Sequence, residues 1–253
     1  MTESLLEAVQ VVAGTAGDVA LRHYRTALTV EAKGDGSPVT IADREAERAA
    51  RDWLAQRFPH DGILGEEFGA QEGASGRRWL IDPIDGTKSF VRGVPLWGTL
   101  VAVTHGTEVL AGAAYFPAVG ELIAAAPREG CWWNGRRASV SEVGTLAGAT
   151  VLITDDRTFG TSALAHGWHA LAAEAGVARG WGDCFGYLLV ATGRAEVMVD
   201  PIINPWDAAC FLPIIEEAGG VFTDLAGTVT AFGGHAIATN RALAATARNF
   251  FDD

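Results

Sequence analysis

Between Trp79 and Phe90 the chain reads Trp-Leu-Ile-Asp-Pro-Ile-Asp-Gly-Thr-Lys-Ser-Phe. An apolar run delivers Asp82, Pro83 stops the ladder because it has no N–H, and Asp85 follows three residues after Asp82. Two carboxylates and the carbonyls between them therefore crowd one strand end, and hard cations such as Mg²⁺ take oxygen ligands of this kind. Gly86 lets the backbone approach a ligand closely. If Thr87 to Phe90 opens a helical turn, its free N–H groups point at an anion. The segment offers a cation site and a phosphate cradle side by side. The same residues also describe an Asp-Pro turn followed by an Asp-Gly turn, both ordinary in loops, and spacing alone does not separate the two readings.

Two further acidic loci accompany it. Gly65-Glu66-Glu67-Phe68 closes another apolar run, and Asn204-Pro-Trp-Asp-Ala-Ala209 places Asp207 in the first turn of a helix. Taken singly, each has a plain alternative: a solvated strand end for Glu66, and an acid favoured by the helix dipole for Asp207. Other chemistries have no support. The chain lacks a G-x-S-x-G elbow, a G-x-x-x-x-G-K-[ST] loop and an H-E-x-x-H helix. His166 and His169 are the one close histidine pair, on a helix face; the other histidines are scattered.

The elements that must position these residues follow from periodicity. Residues 4–24 carry apolar side chains at helical spacing. Thr40 or Asp43 caps a second helix that stops before Pro59. Residues 62–66 and 78–82 read as two short strands, each ending in a carboxylate. The segment 96–133 alternates β-rich runs with Gly and Pro breaks, an antiparallel meander, and Asn134-Gly135 signals a hairpin. Beyond residue 145 strands and helices alternate: strands at 150–154, 178–181, 195–199, 221–223 and 235–239, helices at 161–175, 185–192 and 205–218. The expected fold class is therefore α/β overall, in two lobes sharing a broad interface. An α+β lobe with an antiparallel sheet spans 1–145, and an α/β lobe spans 146–253.

The chain has 253 residues, 49% of them hydrophobic, enough to bury a large core without disulfides. Its 31 acidic residues against 19 basic give a formal charge of −12, which disfavours a nucleic-acid partner. Cys131, Cys184 and Cys210 are far apart and form no C-x-x-C pair, which suits a reducing compartment. No basic residue precedes Arg22, and no apolar run approaches the roughly 18 residues of a membrane span. A soluble cytoplasmic protein without a membrane partner is expected.

Taken together, Gly-Glu-Glu at 65–67, the 79–90 segment, and Asn-Pro-Trp-Asp-Ala-Ala at 204–209 followed by Glu-Glu-Ala-Gly-Gly at 216–220 resemble the inositol monophosphatase family. The resemblance takes in Lys33, Val39-Thr-Ile-Ala-Asp43 and the Gly130 to Gly135 hairpin. It implies a layered α-β-α-β-α sandwich of the inositol monophosphatase/fructose-bisphosphatase type. It implies a Mg²⁺-dependent, lithium-sensitive phosphomonoesterase with two to three Mg²⁺ per active site, and usually a homodimer. Carried over by motif, Glu66, Asp82 and the Ile84 carbonyl would hold one ion. Asp82, Asp85 and Asp207 would hold a second, and a third would sit near Glu66, mostly in water. Gly86 and Thr87 would bind phosphate, while Asp43 and Thr87 would orient the attacking water with Lys33 nearby. The Gly34 to Gly36 loop resembles a mobile catalytic loop of the family.

Within that family, Lys88-Ser89 after Thr87 and the stretch Arg-Gly-Trp-Gly-Asp-Cys-Phe-Gly-Tyr at 179–187 resemble the histidinol-phosphatase branch. Asp183, and Asp200 seven residues before Asp207, are then candidates for reading a cationic substrate, with an aromatic side chain stacking nearby. Histidinol phosphate carries an ammonium and a protonatable imidazole, which carboxylates suit. A helix cap for Asp183 and a loop acid for Asp200 are the plain alternatives. Inositol 1-phosphate is the second candidate substrate and adenosine 3′,5′-bisphosphate the third. The non-enzymatic alternative is a silent metal-binding protein, against which every matched ligand position is present.

Overall fold

Apolar residues at helical spacing bury one face of the helix Leu5–His23, from Leu6 through Val9, Val12, Ala13 and Ala16 to Ala20. A second helix, Ile41–Arg57, begins with a capping box: Thr40 Oγ1 accepts from the Ala42 N–H, and the Asp43 carboxylate accepts from the Thr40 N–H at 2.8 Å. Its buried face holds Ala42, Ala46, Ala50 and Leu54, and also two acids, Asp43 and Glu47. The structure is a computed structural model and describes residues 4–34, 36–160 and 163–252. Asp35, in the middle of the Gly34 to Gly36 loop, lies outside the described residues, as do positions 161 and 162, the start of the helix expected over 161–175.

Both helices pack on one face of an eight-stranded sheet. Its strands run, in spatial order, Arg136–Arg137, Gly130–Trp133, Glu121–Ala126, Glu108–Phe116, Gly98–His105, Arg77–Asp85, Gly62–Gly65 and Gly69–Gln71. Every neighbouring pair is antiparallel except Gly62–Gly65 with Arg77–Asp85, which is parallel, so the sheet is mixed. The parallel pair sends Glu66 and Asp82 out at the same sheet end. Asn134 and Gly135 make the expected hairpin turn, both at positive φ.

The second sheet orders Val177–Arg179, Thr150–Ile153, Val197–Asp200, Ala236–Thr239 and Val221–Thr223. The first three strands are parallel and the last two antiparallel to their neighbours. Helices Cys184–Ala191 and Phe211–Glu217 lie between the two sheets in a shared apolar core. Ala163–Glu174 and Ala244–Arg248 cover the outer face of the smaller sheet. The layers are thus α-β-α-β-α. Thr150–Ile153 stands between the two strands that follow it in sequence, so the chain leaves it first to one side and then to the other. The carboxyl ends at such a reversal frame a crevice where α/β sheets bind ligands. Thr154, Asp183 and Asp200 all stand at that end.

Three local details differ from the sequence reading. The strand expected to stop at Pro83 continues to Asp85, because the ladder skips: Asp82 pairs with Leu100 and Asp85 with Gly98, leaving one extra residue as a bulge. Thr99 Oγ1 donates to the Pro83 carbonyl at 2.7 Å and holds the bulge down. The helix expected over 205–218 divides into Pro205–Ala208 and Phe211–Glu217. Pro213 has no N–H to return to the Ala209 carbonyl, so the ladder breaks there. The small pairs Glu31–Ala32 with Pro38–Val39, and Gly69–Gln71 on the sheet edge, carry too few residues to show a period. All three cysteines are free and buried, and among the described residues no helix is long and apolar enough to cross a membrane.

Candidate active site

The bulged strand end organises the site. Asp82 is 2% exposed, and its Oδ1 accepts from the Ile84 N–H at 2.9 Å, turning the carboxylate back along its own strand. Gly86 follows Asp85 at φ +86°, a left-handed conformation that favours glycine. A Cβ there would stand 2.8 Å from the Leu96 carbonyl oxygen. The turn Thr87–Phe90 begins at once, with the Ser89 and Phe90 N–H groups returning to the Gly86 carbonyl. Thr87 Oγ1 donates to the Ile84 carbonyl at 2.9 Å and lies 3.5 Å from Asp43 Oδ1. The expected helical turn after Asp-Gly is therefore present, and it faces the N-terminus of the second helix.

Asp43 and Asp207 are placed by the same device. Each is the third residue of a capping box, and each spends one oxygen on the helix start. Asp43 Oδ2 accepts from Thr40 N and Oγ1 at 2.8 and 2.7 Å. Asp207 Oδ2 accepts from Asn204 N and Nδ2 at 3.0 and 3.1 Å. The Oδ1 of each remains clear of the cap. The helix-dipole role foreseen for Asp207 and a role in the site are thus compatible.

Glu66 comes from the strand parallel to Asp82, its N–H donating to the Ile81 carbonyl at 3.1 Å. Lys33 Nζ bridges Glu66 Oε1 and Glu67 Oε1 at 2.7 and 2.6 Å. Burial works against the Lys33 charge, but hydrogen bonds and attraction from Glu66 and Glu67 prevail and raise its pKa. Asp85 reaches across the interlayer: its Oδ2 accepts from the Cys184 N–H at 2.7 Å, at the start of the helix Cys184–Ala191.

The cluster is a concentration of buried negative charge. Burial first, and then the charges of Glu66, Asp85 and Asp207, push the Asp82 pKa well up. Burial, with Asp183 and Asp207 beside it, does the same to Asp85. Burial raises Asp207 to about 6 against the Asn204 backbone bond. Burial also raises Asp43, its bonds to Thr40 opposing. Asp82 lies within hydrogen-bonding reach of both Glu66 and Asp207. Among the described residues no three His, Cys, Asp or Glu side chains close around one point as a finished metal cage. The carboxylates of Glu66, Asp82 and Asp207 instead crowd one another at the strand end. Among the described residues no Lys, Arg or His pairs with Asp82, Asp85 or Asp207, and an all-oxygen set of this charge matches a hard divalent ion. The donor set fits Mg²⁺.

Beside the cluster opens a pocket lined by Asp85, Thr154, Asp183, Tyr187, Asp200 and Asp207. Asp200 is fully engaged: Thr154 Oγ1 donates to Oδ1 at 2.6 Å and Tyr187 Oη to Oδ2 at 2.9 Å. Burial raises its pKa to about 7 despite those bonds. Asp183 differs. It stands at the N-cap position of Cys184–Ala191, yet its carboxylate makes no capping bond. Its backbone sits at φ 49°, ψ −156°, held by a bond from its N–H to Thr154 Oγ1 at 2.8 Å. Its Oδ2 lies 3.3 Å from where a Cβ on Gly86 would stand, so the carboxylate overlooks the Asp-Gly-Thr turn. Burial raises its pKa to about 6, with the Lys88 charge pulling the other way. Of the nearby aromatics, Trp181 is 42% exposed and does not line this pocket, and Tyr187 is buried with its ring stacked on Phe211 at 4.6 Å.

Lys33, Asp43, Glu66, Asp82, Ile84, Asp85, Gly86, Thr87 and Asp207 converge where the parallel strands Gly62–Gly65 and Arg77–Asp85 end, and Lys88, Asp183 and Asp200 form the adjoining rim. Thr154 and Glu47 had no place in the sequence reading. Glu47 left a signal, an acid four residues after Asp43 on an otherwise apolar helix stripe. Thr154 left none beyond its position after a strand.

Residues 1–251 match the inositol monophosphatase family. This chain belongs to that family. Over 228 residues it is 44% identical to a histidinol-phosphatase of Chlorobaculum parvum, covering 90% of this chain and 88% of that one. It is 37% identical over 227 residues to the histidinol-phosphatase of Mycobacterium tuberculosis, 84% of each chain. An inositol-1-monophosphatase of Mesorhizobium japonicum is 34% identical over 210 residues, 79% of this chain and 77% of that one. Among solved structures, the extragenic suppressor protein SuhB of Bartonella henselae superposes with a TM-score of 0.92 at 27% identity, covering 98% of both chains. The Thermotoga maritima IMPase superposes with a TM-score of 0.85 at 30% identity over 98% of this chain and 94% of that one. The inositol monophosphatase fold is therefore the fold of this chain, and the protein is a phosphoric monoester hydrolase.

Proposed function

We propose that this phosphatase hydrolyses L-histidinol phosphate to L-histidinol and phosphate, with Mg²⁺ as its cofactor. The observation that carries the substrate is Asp183, a part-buried carboxylate that makes no capping bond and takes no hydrogen bond among the described residues, facing the Asp-Gly-Thr turn from the pocket rim. An ammonium or imidazolium one short chain away from a phosphoryl group fits between them. The similarity to histidinol-phosphatases at 37 to 44% identity supports the same reading.

In this reading Glu66, Asp82 and the Ile84 carbonyl would hold one Mg²⁺, and Asp82, Asp85 and Asp207 would hold another, with a third near Glu66. When bound, Mg²⁺ lowers the pKa of water and neutralises charge on the phosphoryl oxygens. The chain's own residues do the rest. Gly86 and Thr87 present backbone N–H groups to the phosphate, with Lys88 at the mouth. Thr40 occupies Asp43 Oδ2, so only Oδ1, the oxygen facing Thr87 Oγ1, is left to accept from the attacking water. Asp43 and Thr87 therefore orient that water, and Lys33 balances Glu66 and Glu67 beside it. Asp183 reads the cationic end of the substrate, and Asp200, held by Thr154 and Tyr187, adds negative field behind it. A cytoplasmic homodimer, as the sequence suggested, belongs to the same reading.

The test is phosphate release from L-histidinol phosphate, inositol 1-phosphate and adenosine 3′,5′-bisphosphate, each with Mg²⁺ and with EDTA. The expected result is a preference for histidinol phosphate of about tenfold or more in kcat/KM, near 1.4 kcal/mol or above, and loss of turnover in EDTA. A preference for inositol 1-phosphate overturns the substrate; full turnover in EDTA overturns the cofactor.

A further inference from the structure

We propose that Glu47 is a positioning residue that sets the metal affinity of Glu66 without touching the metal. The proposal rests on the reading of Glu66 as a Mg²⁺ ligand. Glu47 has no exposed side-chain surface, an expensive place for a carboxylate. Its bonds show what keeps it there. The strand Gly62–Gly65 ends one residue before Glu66, and the last sheet bond is from Glu66 N to the Ile81 carbonyl. Beyond it the chain turns away, and the next two N–H groups have no strand to pair with. Glu47 accepts both: Glu67 N donates to Oε2 at 2.7 Å and Phe68 N to Oε1 at 3.3 Å. Arg51, one turn on, donates to Glu47 Oε1 at 2.7 Å and to the Gly69 carbonyl at 2.6 Å. Glu66 is thereby fixed on both sides, by the sheet before it and the clamp after it.

Gly65 completes the fit. A Cβ at that position would fall 1.9 Å from Glu47 Oε1, so the carboxylate lies flat against the strand end only because no side chain is there. Glu47 is also four residues beyond Asp43 on one helix face. A single rigid helix therefore registers the water-orienting acid and the metal-binding loop against each other. Groups that orient ligands in this way, when removed, typically weaken metal affinity by about 10- to 100-fold.

The experiment titrates Mn²⁺ into the purified full-length protein, with free ion read by electron paramagnetic resonance. Wild type, Glu47→Gln, Gly65→Ala and Glu66→Gln are compared, alongside melting temperatures in EDTA. Glu47→Gln keeps the shape but gives up an acceptor oxygen and the charge facing Arg51. It should weaken Mn²⁺ binding by about tenfold or more, and Gly65→Ala, which pushes the clamp from the other side, should do the same. Once Mn²⁺ is saturating, kcat should stay within about threefold of wild type. If Glu47→Gln melts lower yet binds Mn²⁺ like wild type, its role is structural only and the proposal falls. If Glu66→Gln also binds like wild type, the underlying assignment of Glu66 has failed instead.

Discussion

Two acids share the pocket rim, and their surroundings assign them different work. Each oxygen of Asp200 already takes a hydroxyl donor, from Thr154 and Tyr187, whereas the Asp183 carboxylate takes none among the described residues. A substrate cation gains most from the free carboxylate, since a charge-assisted hydrogen bond is worth about 1.5–3 kcal/mol. Asp183→Asn should therefore raise KM for L-histidinol phosphate by about 10- to 100-fold. Asn tolerates the positive φ at this position, so the fold should be kept. Hydrolysis of p-nitrophenyl phosphate, which has no cation, should change by less than about threefold. Equal loss on both substrates would remove Asp183 from recognition. At this scale the sequence was informative wherever chemistry is local. Asp82, Asp85, Gly86 and Thr87 lie within six consecutive residues, and their convergence needs only one strand end. Thr154 and Tyr187 reach Asp200 through the topology of the smaller sheet, and nothing in their own neighbourhoods announces it.

A strand, a bulge, a left-handed glycine and one helical turn make up the element that carries the site. Its geometry depends on Gly86 twice, for φ +86° and for the 2.8 Å approach to the Leu96 carbonyl. Gly86→Ala meets both obstacles, and backbone strain of this kind costs about 1–3 kcal/mol. The variant should melt several degrees lower by calorimetry and lose most phosphate release, because Thr87 is re-aimed away from Asp43. A variant with a lowered melting temperature and unchanged turnover would separate the turn from catalysis. The sequence reading recognised this element but ended its strand at Pro83. Proline does interrupt the ladder, as expected, yet the partner strand resumes pairing at Asp85 after one skipped residue. The long helices were legible because an apolar stripe repeats over four or more turns. The break at Ala209 and Cys210 was not, since it depends on a proline four residues downstream acting within an otherwise continuous apolar pattern.

The whole molecule carries a formal charge of −12, and Asp85, Asp183, Asp200 and Asp207 line one pocket between the two sheets with Asp82 beside them. Asp183 and Asp207 near 6 and Asp200 near 7, with Asp82 and Asp85 also pushed well up by burial, all have folded pKa values raised above those of the unfolded chain. The native state then binds more protons than the unfolded state from about pH 4 up to those values, so stability falls as pH rises through that window. In EDTA the melting temperature should rise as pH is lowered from 8 to about 5.5. Saturating Mg²⁺ should lift the pH 8 value most and flatten the slope, because it binds the native state alone. A melting temperature in EDTA that falls steadily on acidification would contradict this. The bond from the Cys184 N–H to Asp85 carries a consequence of another kind. It crosses a seam with Asp43, Glu66, Asp82 and Asp85 on the larger sheet's side and Asp183 and Asp200 on the smaller sheet's side; in the proposed reading the first bank would carry hydrolysis and the second recognition. On that reading, what the enzyme recognises could be changed by substitutions on one bank of the seam while the other is left as it is. The same seam makes the halves interdependent, so a fragment ending before residue 150 would keep Asp82 and Asp85 but have no floor for a substrate to rest on.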